Sequence, residues 1–360
     1  MIRDDMITDH GLELPDLCDF PGAGDSLYPR EINFDHVANI RKTFDSRKFP
    51  AFKAAWSNMV QEISKYANFN DEEKAILAGQ NKYIENSVRL WFESCERQVE
   101  RNDLPETEFY KTLDRDGCAG FHGNKELTNQ MNDLLSKEIA QLSNVDDHTA
   151  AAHAYDRFKV YNEENNPELF RLVRAYFDEN QVFQAISKYN RMEGNMDLNT
   201  IALHVATPTD THHYMTLRDM KTTSKLISLH MDPKYNLMKS ILYLNEVDED
   251  TGPFTTIPTS NRWQYDQLER MVACGNSTGN YLDTPTARRV MRFFPREFRK
   301  NVIIGRYILD GTPMSDKLLS LLYPWTSDKA DCIIFDPTQT FHRGGLCKTK
   351  NRVNLQILMR

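Results

Sequence analysis

In the C-terminal run FDPTQTFHRGGLCKTKNRVNLQILMR the side chains alternate with a period of two. In an extended strand, Arg352, Asn354 and Gln356 fall on one face and Val353, Leu355 and Ile357 on the other. An apolar face backed by helices and a polar face turned inward suit a strand that lines a cavity, the inverse of the usual core pattern. His342 ends the preceding strand, and Gly344 and Gly345 permit a turn after it, so Arg352 is expected to reach the same pocket as His342. A guanidinium offers a planar fork of donors to a carboxylate, and its burial requires an anion from a ligand or from the protein. Both a ligand clamp and a structural salt bridge satisfy that requirement.

The period of two extends well upstream. IALHVA, HHYMTL, KLISLHMD, MKSILYLNEV and CIIFDP have strand lengths, β-branched or aromatic content and polar or Gly/Pro breaks. Residues 35–102 are instead helical in texture. Asn70-Asp71 ahead of Glu72 and Glu73 signals a helix start, and Ile76, Tyr83, Ile84, Val88 and Trp91 form a buried stripe. Pro105 opens a short helix, LDRDGCAGF turns into a strand at Gly117, and Leu127, Met131, Leu134, Leu135 and Leu142 mark another helix. Helical character returns at 167–189 and, within an insertion at about 262–329, in WQYDQLERMV, TARRVMRFF and DKLLSLL. Strands do not alternate with helices as a parallel sheet demands, so the class is α+β on an antiparallel sheet or barrel flanked by helices. The expected division is an N-terminal arm and helical region at 1–105 and a catalytic domain at 106–360.

Composition narrows the function classes. The 360 residues carry 44 basic and 52 acidic side chains, a net charge of −8 that disfavours a nucleic-acid partner. The acidic, Pro-containing start is unlike a signal peptide, and no apolar run approaches the length of a membrane span. Six scattered cysteines without a C-x-x-C pair suggest neither a disulfide framework nor a thiolate zinc site. The expectation is an unexported, cytoplasmic protein with no membrane partner. Phosphate-binding, dinucleotide, H-E-x-x-H and G-x-S-x-G motifs are all missing from the sequence.

Among ten histidines, only His230 is followed two places later by a carboxylate, Asp232. On a strand, positions i and i+2 share a face, so Ser228, His230 and Asp232 would line one side. Two ligands of one metal can come from such a strand. A distant imidazole then completes a two-His-one-carboxylate set, which leaves three adjacent positions open on non-haem Fe(II). A core histidine beside a turn aspartate before Pro233 is the competing explanation of the motif.

His230-x-Asp232, His342 and Arg352, in that order, resemble the Fe(II)- and 2-oxoglutarate-dependent oxygenases, and within them the phytanoyl-CoA dioxygenase-like group. Asp250-Thr251-Gly252-Pro253-Phe254 and Pro258-Thr259-Ser260-Asn261 follow that group's intermediate segment loosely, with Thr259 and Asn261 where its P-G-S-H ending has Gly and His. The resemblance covers about 106–360. It implies a double-stranded β-helix (jelly roll), with Fe(II) held by His230, Asp232 and His342 as the catalytic centre. It also implies that Arg352 clamps the far carboxylate of 2-oxoglutarate, and that Tyr243 is either a second hydroxyl donor to it or a core tyrosine. The implied activity consumes O2 and 2-oxoglutarate, releases succinate and CO2, and hydroxylates, desaturates or cyclises a small-molecule substrate. Because Asp232 keeps a carboxylate where halogenating relatives have a small residue, halogenation is disfavoured.

Arg288, Arg289, Arg292, Arg296, Arg299, Lys300 and Arg306 stand against Glu297 alone, a local reversal of charge. They either pack on acidic neighbours or favour an anionic substrate. A protein or peptide hydroxylase that docks its target on the first hundred residues, and a non-catalytic β-helix binding module, are the alternative functions.

Overall fold

Asn70 caps the longest helix among the described residues: its side chain accepts from the Glu73 amide, and the Glu73 carboxylate accepts from the Asn70 amide. That helix is one of ten in the computed structural model, which describes residues 7–8, 11–12, 36–144, 156–192, 194–208, 229–232, 237–263, 266–277, 285–300, 302 and 313–360. HHYMTL and the first half of KLISLHMD, through Ser228, lie outside the described residues.

Two compact units divide the chain. One comprises Met1–Arg97, Met231–Tyr235 and Trp263–Ile308, the other Gln98–His230, Asn236–Arg262 and Leu309–Arg360. The first contains a two-residue hairpin, β1 (Ile7–Thr8) and β2 (Gly11–Leu12), and helices α1 (His36–Asp45), α2 (Phe49–Ala67) and α3 (Asp71–Glu96). Two helices of the insertion, α8 (Gln267–Ser277) and α9 (Pro285–Met291), share their core. Trp56 of α2 is fully buried there against Phe298, ring centroids 5.3 Å apart, and Ile76, Ile84 and Val88 line α3 as the apolar spacing requires.

The second unit begins with α4 (Glu108–Asp116), which ends at Gly117 in the left-handed region and hands the chain to β3 (Cys118–Phe121). α5 (Lys125–Ser143), β4 (Asp156–Tyr161), α6 (Pro167–Glu179), α7 (Val182–Tyr189) and β5 (Leu198–Ala206) follow. Next come β6 (Met238–Tyr243) and β7 (Phe254–Thr256), then α10 (Pro313–Leu321), β8 (Tyr323–Trp325), β9 (Cys332–Phe335), β10 (His342–Arg343) and β11 (Arg352–Met359). Every strand pairing among the described residues is antiparallel. Six strands run in the order β3-β9-β6-β11-β5-β4, and three in the order β10-β7-β8.

Period two decides what each face of the larger sheet meets. Val353, Leu355 and Ile357 join Leu203, Val205 and Leu242 in a core closed by α5, α6 and α7, where each buried aliphatic side chain contributes on the order of 1.5–3 kcal/mol. On the opposite face, Ile241, Tyr243, Ile333 and Phe335 pack with Phe254 and Trp325 of the smaller sheet. In α5 the expected stripe departs from the structure at one position: Met131 and Leu135 are buried, whereas Leu134 is 45 % exposed. Met131 and Leu135 are four apart and stack on one face, which turns Leu134 to the flank.

Burial also governs the thiols. Cys118 and Cys274 are pushed up to about 12 by burial, and burial raises Cys332 further still. A thiol kept neutral in the fold and released to ionise near 9 on unfolding stabilises the native state below pH 9. That contribution is lost as pH rises from about 9 toward 12, so the urea midpoint is expected to fall over this range. At pH 8 a thiol-reactive disulfide reagent is expected to label far fewer than the six cysteines until the chain is unfolded. No helix among the described residues is long and apolar enough to cross a membrane.

Candidate metal centre

His230 and His342 are paired through their backbones in an isolated antiparallel bridge, each amide donating to the other's carbonyl at 3.0 Å. β10 carries His342 and pairs with β7, opposite Thr256. The bridge brings the two imidazoles to 4.4 Å between ring centroids. Asp232 follows two residues after His230, and the candidate ligand atoms of His230, Asp232 and His342 all lie within 4.8 Å of one another. Both histidines are at least nine-tenths buried. Among the described residues this is the one group of three or more His, Cys, Asp or Glu side chains so arranged.

The donor chemistry fits a divalent first-row ion. Nδ1 of His342 lies 2.9 Å from the Thr340 carbonyl oxygen, which can only accept, so Nδ1 carries the proton and Nε2 keeps its lone pair for a metal. Such a carbonyl contact is the usual means of fixing the orientation of a ligating imidazole. Thr340 is in turn anchored: its hydroxyl donates to the Gly117 carbonyl at 3.0 Å and its amide to the Asp336 carbonyl at 2.9 Å. The next amide, Phe341, donates to Ser260 Oγ at 3.0 Å. Two imidazoles and one carboxylate leave net charge on a bound dication and supply only three donors, so further ligands can bind on the open side.

Gly117 is essential to this support. Its φ is +70°, and an added Cβ would come within 2.3 Å of Thr340 Oγ1 and 2.8 Å of Asn261 Cβ. Gly117→Ala is expected to cost about 2 kcal/mol or more, combining the left-handed backbone penalty with the displacement of Thr340. A lowered Tm together with weaker metal binding is the result that checks it. Thr259 is the other unusual backbone position here, with φ +67° for a β-branched residue. It stands where the P-G-S-H ending has a glycine, the residue that adopts this conformation without steric cost.

A cavity opens on the two histidines. Arg352, Asn354 and Gln356 all line it, with His230 and His342, so the polar face of β11 forms its floor. Arg352 is 7 % exposed. Its Nη1 donates to the carbonyls of Gly252 and Gly345, the latter at 2.9 Å, and among the described residues no carboxylate pairs with it. A buried guanidinium satisfied on one side by carbonyls retains a full charge and donors for an anion. Phe335 and Phe254 flank His342 at 4.9 and 5.9 Å between ring centroids and line the same cavity.

Tyr243 is placed differently from Arg352. Its hydroxyl donates to the Trp325 carbonyl at 2.7 Å and accepts from the Phe254 amide at 3.0 Å, and burial pushes its pKa up. Its only proton is thus directed into the smaller sheet. Sequence reasoning passed over His204 on β5 and Lys239 on β6, both of which line the cavity. Their signal was present: His204 is opposite Asn354 once β5 and β11 are paired, and Lys239 shares strand parity with Ile241 and Tyr243. Of the basic run, Arg289 ion-pairs with the buried Glu73 of α3, as packing on acidic neighbours requires. Arg292 lies over the Phe293 ring and Arg299 donates to the Phe294 carbonyl, while Arg306 lies outside the described residues.

No protein-family model matches the chain, and no curated protein matches its sequence. Solved structures do. The non-heme alpha ketoglutarate-dependent carbocyclase SnoK from nogalamycin biosynthesis is 12 % identical, with 72 % of this chain and 85 % of SnoK covered at a TM-score of 0.41. EctD from S. alaskensis in its apoform is 12 % identical, with 73 % and 80 % covered at 0.42. HygX from Streptomyces hygroscopicus, with nickel and 2-oxoglutarate bound, is 10 % identical, with 71 % and 87 % covered at 0.38.

Proposed function

We propose that the chain is a distant member of the Fe(II)- and 2-oxoglutarate-dependent oxygenases, of the phytanoyl-CoA dioxygenase-like kind, whose two antiparallel sheets form a jelly roll. It hydroxylates, desaturates or cyclises a small molecule with release of succinate and CO2. The observation that carries this reading is the convergence of His230, Asp232 and His342, with the buried Arg352 lining the cavity on which both histidines open.

Fe(II) bound there supplies the activation of O2 coupled to decarboxylation of 2-oxoglutarate. The protein's own groups set the conditions. Thr340 holds His342 in the tautomer that presents Nε2, and Asp232 contributes the negative charge that a neutral imidazole pair lacks. Arg352 offers its remaining donors to the far carboxylate of 2-oxoglutarate, already fixed in position by Gly252 and Gly345. Phe254 and Phe335 keep one side of His342 dry, which strengthens every charge interaction within the cavity. Asn354 and Gln356 remain as neutral hydrogen-bonding groups for a substrate.

The test is anaerobic addition of Fe(II) and 2-oxoglutarate, which is expected to produce a visible charge-transfer band, followed by oxygen-dependent succinate formation. A chain that binds neither partner, and so shows no band, overturns the reading.

A further inference from the structure

The floor of the cavity continues outward in two transverse rows, and both rows end in exposed apolar side chains. Asn354 on β11 lies opposite His204 on β5, and His204 lies opposite Phe158 on β4. One step along, Gln356 is opposite Ala202, and Ala202 is opposite Val160. Directly opposed residues share a face of the sheet, so Phe158 and Val160 extend the face that His204, Asn354 and Gln356 give to the cavity. They are 60 % and 56 % exposed. The Phe158 ring stacks on the His204 imidazole, 20° from parallel with centroids 5.4 Å apart, so one flat surface runs from cavity to edge.

β4 is the edge strand of the larger sheet, where natural proteins usually place charge to block adventitious pairing. The other face of β4 is ordinary: Lys159 pairs with Glu138 and Arg157 donates to the Leu142 carbonyl. Two large apolar groups adjoining a polar cavity floor therefore mark a contact surface.

We infer that Phe158 and Val160 are the outer shelf of the substrate site and select a small molecule with a flat, ring-containing apolar body. Such a molecule stacks on Phe158 while its polar groups reach inward to His204, Asn354 and Gln356. This inference rests on the oxygenase reading above. A compact, wholly polar substrate would gain nothing from the shelf, and a molecule with a planar hydrophobic part gains both area and stacking.

The probe is 2-naphthol, titrated by fluorescence into the full chain loaded anaerobically with Fe(II) and 2-oxoglutarate. Saturable binding is expected to weaken about fivefold to tenfold in Phe158→Ala, persist in Phe158→Tyr, and stay unchanged in Tyr66→Ala, an exposed tyrosine on α2. Val160→Thr, nearly isosteric and polar, is expected to weaken it about twofold and provides a second reading should Phe158→Ala fold poorly. Unaltered naphthol binding in both Phe158→Ala and Val160→Thr overturns the inference. So does a wild-type dimer that Phe158→Ala converts to monomer, which would assign the edge to a second copy. If the charge-transfer band forms and naphthol ignores the shelf, only the shelf is overturned. Absence of the band from the wild type overturns the oxygenase reading itself.

Discussion

His342→Ala is expected to abolish the anaerobic charge-transfer band and to lower succinate formation by at least about 10²-fold, since loss of even an outer-shell partner of a metal ligand typically costs 10–100-fold. On the oxygenase reading the side chain would contribute the Nε2 donor, whereas its backbone pairing with His230 needs no side chain and survives the change. A far-ultraviolet spectrum like the wild type, combined with loss of the band, separates a missing ligand from a missing fold. In halide-free buffer Asp232→Ala should lose the band as well, because two neutral imidazoles with no anion beside them do not offset the charge of a dication. Survival of the band in either variant would remove that residue from the metal set.

Arg352 carries the second large effect. Arg352→Lys keeps one charge and loses the planar fork, so the apparent KM for 2-oxoglutarate is expected to rise about 10- to 100-fold with kcat retained at saturation. Arg352→Leu also leaves the Gly252 and Gly345 carbonyls without their donor in a buried site, a loss of about 1–3 kcal/mol for each that should appear as a lower Tm. The two readouts distinguish the roles. If Arg352→Lys and Arg352→Leu lower Tm alike and neither changes the KM, the guanidinium only ties the two glycine loops together. The loops leave little room for compensation: a Cβ on Gly345 would come within 2.5 Å of the Gly252 carbonyl.

How far each feature was legible depends on how local its cause is. The alternation Arg352-Asn354-Gln356 against Val353-Leu355-Ile357 is a property of a single strand, and the structure turns those two sets to the cavity and to the helix-backed core, respectively. The Asn70 cap and the turn at Gly117 are likewise written within a few residues. Leu134 shows the limit of a local stripe, since its exposure follows from which neighbours α5 meets. Tyr243 shows another limit: strand parity brings it to the cavity face, and only the seating of β7 and β8 against that face commits its hydroxyl to Trp325.

The sequence by itself determined the strand and helix periods, the inward polar face of β11 and the presence of an H-x-D pair with a distant histidine, because all of these are set by residue order over a few positions. Tertiary structure alone decided that His204 and Lys239 line the cavity, that Phe158 stands opposite His204, that α8 and α9 of the insertion bury their stripes with α1, α2 and α3, and that Arg289 meets Glu73. The reason is that pairing register and packing partners are contacts between segments far apart in the chain. An apolar stripe or a strand face specifies that it must be covered, without specifying by what.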